Sequence, residues 1–177
     1  PKSIEEIHKI IQPQSDRELL ASIEEKQENL ERIRERVNEV KDALGEPVDE
    51  GIKEAVVMFN AMGLRTVQSC EGHPNEPRTE ERRSAMAPWV DIGPEEPDDS
   101  DWTENEELRG KVYRETREYK HRAIGLLGEF YEDRKTSYDA MLGCGPGYCF
   151  RVESHGAEFL EELPEAERLK KVKLYKQ

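Results

Sequence analysis

The sequence has no apolar run approaching the roughly 20 residues that a membrane-spanning helix requires. Only 34% of its 177 residues are hydrophobic, which limits the chain to a modest core and excludes a helical membrane protein. It has three cysteines, Cys70, Cys144 and Cys149, an odd number. The first residues, Pro1-Lys2-Ser3, have neither the apolar h-region of a signal peptide nor the Arg-rich character of a transit peptide. A disulfide framework is therefore not expected, and a reducing cytoplasm is the expected setting. The chain also lacks a basic excess. With 27 Lys and Arg against 40 Asp and Glu its formal charge is −13, which repels phosphate backbones and excludes generic coating of nucleic acid.

The acid is unevenly spread. Residues 94–107 hold eight carboxylates and no base, which leaves −5 for the remaining 163 residues. The C-terminal stretch carries Arg168, Lys170, Lys171, Lys173 and Lys176, so a loop–tail attraction is conceivable, although two solvated segments account for the same pattern.

Three helix starts place Ser or Thr three residues before Glu, the arrangement of a capping box: Ser3…Glu6, Ser15…Glu18 and Thr103…Glu106. The first predicts a short helix ending before Pro13, and the second a long one from about Asp16 to Leu44 with Gly45 as its stop. Leu19, Ile23, Leu30, Ile33, Val37, Val40 and Leu44 alternate four and three apart in that long helix, with only Lys26 interrupting the series. This is a heptad seam, and it needs a partner: a second copy in a homodimer, or the later long helix of the same chain. Asp49 is placed to cap a further helix running to about Met62. A third long helix is expected over about 104–134, with a stripe from Leu108 through Val112, Thr116, Tyr119, Ala123 and Leu127 to Phe130. Short helices follow at about 157–163 and 165–175.

Strands are expected at Leu64–Ser69, Pro88–Ile92 and Tyr148–Glu153, with Gly143–Gly147 as a tight turn. The order predicts an α+β fold, a small sheet of three or more strands packed with long helices. Two regions result: an N-terminal helical or coiled-coil segment, 1–46, and an α+β domain, 47–177.

Alternation along the strands sorts side chains onto two faces. Val67, Val90, Ile92, Phe150 and Val152 are expected in the core. The other face then collects Thr66, Gln68, Cys70, Trp89, Asp91, Cys149, Arg151 and Glu153. A solvated face with an Arg–Glu pair needs no ligand. The turn Ser69-Cys70-Glu71-Gly72-His73 adds chemistry to it: hydroxyl, thiol, carboxylate and imidazole around a glycine that allows close backbone approach. Cys70, Glu71 and His73 are the candidate catalytic residues, and Ser69, Gly72, Trp89, Asp91, Arg151 and Glu153 the candidate ligand contacts. Three chemistries stay open. Cys70 can act as a nucleophile with His73 as its base. Cys70 and His73 can bind zinc, with Cys144 and Cys149 as further ligands. The Glu71–His73 backbone can bind an anion, with Arg151 as counter-charge.

The segment Gly63-Leu-Arg-Thr66-x-x-Ser69-Cys70-Glu71-Gly72-His73, followed by Ala87-Pro88-Trp89-Val90-Asp91-Ile92, resembles uncharacterised bacterial and phage proteins with an S-C-x-G-H turn. The resemblance covers residues 49–92 and, loosely, 147–177. More distantly, Ser69-Cys70-x-Gly72 is similar to the S-C-S-G turn of the wybutosine-synthesis methyltransferase family, which acts on a modified guanosine of tRNA using S-adenosylmethionine. Glu71 and His73 stand where that family has Ser and Arg. The resemblance implies a ligand-facing turn; it does not carry a methyltransferase activity over, and nucleic acid is expected only as a specific modified-base substrate. The expected function is a small-molecule or nucleotide-binding protein with its site at this turn. The alternative is a non-enzymatic protein that homodimerises through the heptad helix and docks a basic partner on its acidic loop. Whether there is a reaction is left open.

Overall fold

A computed structural model describes residues 4–42, 45–74, 86–95, 97 and 102–176, with side chains in the first helix from Ala21 onward. The elements are α1 (Ile4–Glu39), α2 (Glu50–Ala61), β1 (Thr66–Cys70), β2 (Trp89–Ile92), α3 (Glu106–Tyr131), β3 (Leu142–Cys144), β4 (Phe150–Ser154) and α4 (Glu165–Tyr175). Short 3₁₀ turns lie at Tyr138–Ala140 and Ala157–Glu162. The fold is α+β, with one antiparallel sheet in the order β1-β2-β4-β3.

One side of the sheet makes the core. Val90, Ile92, Phe150 and Val152 meet Ile52, Val56 and Val57 of α2, Ile33 and Val37 of α1, and Ala123 of α3. Phe150 is fully buried, and truncating such a residue to Ala typically costs about 3–5 kcal/mol. Helix α2 stops as the sequence predicts. Gly63 adopts φ +73° and its N–H donates to Asn60 O, while Leu64 N–H donates to Phe59 O and its side chain is fully buried. This paired closure satisfies carbonyls that the last turn would leave open and fixes where β1 begins.

Several expectations change. α1 is one helix that runs through Pro13 instead of two helices separated there, and it ends at Glu39. The buried part of its seam, Ile33 and Val37, packs within the chain, chiefly against α2. Leu44 and the Leu19 side chain lie outside the described residues. Asn105, not Thr103, caps α3: its Oδ1 accepts from Glu107 N–H and Leu108 N–H, because an Asn one residue before the helix reaches those donors directly. Phe130 turns outward, with the Arg134 guanidinium 3.9 Å from its ring centre. Residues 96 and 98–101 of the acidic loop lie outside the described residues, and Lys171 of the basic tail pairs with Asp139.

The sheet also has a strand that the sequence reading missed. β3 pairs with β4 as a short hairpin, Cys144 opposite Val152. At the other edge, β1 is irregular. Thr66 pairs with Ile92, yet Gln68 pairs with Asp91, so an extra residue is accommodated between them. Such a bulge reverses the parity of everything before it. Thr66 therefore joins the core side, where its Oγ1 accepts from Asn60 Nδ2 at 2.8 Å, and Val67 stands 45% exposed instead of buried.

Candidate functional site

Past the bulge the alternation holds. Cys70 pairs with Trp89 and Trp89 with Glu153, while Gln68 pairs with Asp91 and Asp91 with Arg151. Directly opposed residues share a face. The structure thus brings Cys70, Trp89, Asp91, Arg151 and Glu153 together on the side away from the core, as the alternation predicts.

Within that face Arg151 is already paired with Asp91. Its Nε and Nη2 donate to the two Asp91 carboxylate oxygens at 2.8 and 3.0 Å, and its guanidinium lies 3.7 Å from the Trp89 ring centre. A bidentate pair with aromatic stacking fixes the guanidinium plane and commits its charge to Asp91. The hydrogen bond it donates to Asp91 accordingly raises the Arg151 pKa. Beside it, burial pushes the Glu153 carboxyl above its ordinary value, opposed by Arg151 and reinforced by Asp91 and Glu158. Glu153 and Arg151 line a small cavity of about 180 Å³ closed by Met86, Ala87 and the 3₁₀ turn with Glu158 and Glu161. Arg151 is therefore not the spare counter-charge for an anion at the turn.

The turn after β1 is fixed by an exchange between distant residues. Asp49 immediately precedes α2, yet its side chain does not cap that helix. Glu71 does so in its place: Gly51 N–H donates to Glu71 Oε2 at 2.7 Å, and a Cβ on residue 51 would collide with that same oxygen. In return, Glu71 N–H donates to Asp49 Oδ2 at 3.1 Å. A carboxylate at a helix N-terminus is favoured by both hydrogen bonding and the helix dipole. Glu71, expected among the candidate catalytic groups, is thereby a structural tie between turn and helix.

Gly72 holds the other side. Its φ is +81°, and a Cβ there would lie 2.7 Å from Met86 O and from the Ala87 carbonyl carbon, so only glycine fits. Its N–H donates to Cys70 Sγ at 3.4 Å. With Glu71 N–H and Gly72 N–H both engaged, the backbone of the turn does not present the two donors that an anion nest requires.

What the turn does present is a convergence. Donor atoms of Asp49, Cys70 and His73 all lie within 4.8 Å of one another, and all three residues are half-buried. His73 Nε2 is 3.4 Å from Asp49 Oδ2. Among the described residues this is the one group of three or more His, Cys, Asp or Glu side chains placed to hold a metal ion. The expected zinc partners Cys144 and Cys149 do not join it. Cys144 sits on β3, three strands from β1 or roughly 14 Å across the sheet. It faces the core side, and burial raises its thiol pKa. Cys149 lies against Gly93, beyond the end of β2 opposite Trp89. The sequence reading had Cys70 and His73 but missed Asp49, which it saw only as a helix cap.

Asp49, Ser69 and Trp89 also line a larger groove of about 870 Å³. Its walls are the end of α1, the segment leading into α2, and the edge strand β1. Arg36, Lys41 and Arg65 supply cations along it, against Asp42, Glu46 and Asp49. Trp89 Nε1 is buried with no hydrogen-bond partner among the described residues.

Fold and site together describe an α+β protein with a polar sheet face, a thiol–imidazole–carboxylate corner and a groove beside it. Compared with known proteins, the chain matches no family model, no curated protein and no solved structure. Among the described residues, no helix is long and apolar enough to cross a membrane.

Proposed function

We propose that the protein binds a small molecule, with nucleotides as the ligand class, in the groove that ends at the Ser69–His73 turn. The observation that carries this reading is the groove itself: its volume of about 870 Å³ falls within the range of small-molecule sites, and Asp49, Ser69 and Trp89 are part of its lining. Three cations against three acids make the groove locally neutral in a chain of net charge −13, so a phosphate is not repelled there as it is by the bulk charge. The S-C-x-G-H resemblance supports a ligand-facing turn in the same place.

The test is tryptophan fluorescence. The chain has two tryptophans, and Trp102 is buried edge-on against Tyr148. Nucleoside monophosphates should quench the Trp89 component and raise the melting midpoint, and Trp89→Phe should remove the optical change. No quenching and no thermal shift at millimolar nucleotide would defeat the proposal.

A second reading, homodimerisation through α1, is favoured by Ile23 and Val40, seam residues that are 42% and 53% exposed. Ile23→Lys should lower the mass seen by light scattering to that of one chain without changing the fold. Ile33→Lys is the wrong probe, because Ile33 is buried against α2.

A further inference from the structure

We infer that Asp49, Cys70 and His73 form a metal site for zinc or a similar divalent transition ion, with three protein ligands and a fourth position left for water or an exogenous ligand. The inference goes beyond the nucleotide reading: the site stands on its donor geometry, and only the identity of the fourth ligand depends on the groove.

The donor set selects the ion. A thiolate, an imidazole and a carboxylate suit zinc, whereas magnesium and calcium take oxygen ligands. The spacing agrees. Tetrahedral zinc with bonds of about 2.0–2.1 Å to nitrogen and oxygen sets those two atoms roughly 3.4 Å apart. His73 Nε2 and Asp49 Oδ2 are 3.4 Å apart, and Cys70 Sγ is within 4.8 Å of both. Closing the sulfur onto a common centre takes movements of about 1 Å, within the reach of side-chain rotation.

The surroundings orient each ligand. Glu71 N–H donates to the Asp49 oxygen nearest His73, and Gly72 N–H donates to Cys70 Sγ, a bond that strengthens when the sulfur is a thiolate. Glu71, held by Gly51, fixes the turn to α2, so the carboxylate on one element meets the thiol and imidazole on another. Coordination breaks the Cys70 S–H bond: the proton leaves to solvent as the sulfur's electron pair binds the ion, so affinity rises with pH.

The test uses the full chain stripped with chelator and reloaded with zinc, read by native mass spectrometry, and with cobalt(II), read by absorption. One ion per chain is expected, with a thiolate-to-cobalt charge-transfer band and the intense visible bands of tetrahedral cobalt. Cys70→Ser should abolish the charge-transfer band, and Asp49→Asn and His73→Ala should each weaken zinc binding at least 10-fold. Cys144→Ser, altered on the opposite face, should bind as the parent does. No ion retained by the unaltered chain at micromolar zinc overturns the inference, and this outcome does not depend on any variant folding. Binding that survives both Asp49→Asn and His73→Ala, or a charge-transfer band that disappears in Cys144→Ser instead of Cys70→Ser, overturns it equally. Nucleotide quenching measured with and without chelator separates the two proposals. Zinc without quenching keeps the metal site and sinks the groove reading, and quenching in a chain that binds no zinc does the reverse.

Discussion

Two polar clusters adjoin the sheet, and they differ in how their charges are used. Around Arg151 the partners are matched: Asp91 accepts from both ends of the guanidinium and Trp89 stacks against it. At the turn, Asp49 is drawn away from its helix, Glu71 takes over the capping, and the donor atoms of Asp49, Cys70 and His73 lie within 4.8 Å of one another. A polar face alone therefore does not identify a site. The first cluster is a closed pair that ties β2 to β4; the second is a set of three different donors brought from two elements.

The largest effect that sharpens this contrast is expected from Gly72→Ala. Left-handed backbone costs a side-chain-bearing residue about 1–2 kcal/mol, and the approach of the new Cβ to Met86 and Ala87 adds a comparable amount. A loss of roughly 2–4 kcal/mol in urea denaturation is expected, together with loss of the zinc site. A Gly72→Ala chain of parent stability would show that the turn is not pinned. Asp91→Ala should be milder. It strips Arg151 of its bidentate acceptor, but the guanidinium keeps water contact and its stack on Trp89, so about 1–2 kcal/mol is expected. Zinc affinity should be unchanged in this variant. If it falls, the two clusters are one.

The smallest effect concerns Glu153. Burial raises its folded-state pKa above the unfolded value, so the native protein favours the neutral carboxyl. Its stabilising contribution is present below the unfolded pKa and is lost as pH rises through the raised one. Glu153→Gln should therefore raise the urea midpoint at pH 7 and leave it nearly unchanged at pH 4. An equal shift at both pH values would assign the effect to packing instead.

The sequence made some of this visible for physical reasons. β2 and β4 alternate without interruption, so parity alone puts Trp89, Asp91, Arg151 and Glu153 on one face. β1 contains a bulge that leaves no mark in composition, and it moved Thr66 to the core side and Val67 to the surface. Leu142–Cys144 is too short, and too rich in glycine beside it, to read as a strand before its partner β4 is in place. The exchange of caps between Asp49 and Glu71 was hidden because it joins residues 22 positions apart. A local reading gives Asp49 to its own helix, which is the ordinary arrangement. Gly51, at the second position of α2 where glycine weakens a helix, was the trace of it in the sequence: that position must leave room for Glu71.

The most direct test of the account compares zinc affinity in Glu71→Gln and Asp49→Asn. Gln at position 71 keeps an oxygen for Gly51 N–H, so its affinity should stay within about threefold of the parent, while Asp49→Asn should lose at least about 10-fold. The opposite result, zinc lost with Glu71→Gln and kept with Asp49→Asn, would contradict the exchange of roles and return Glu71 to the site.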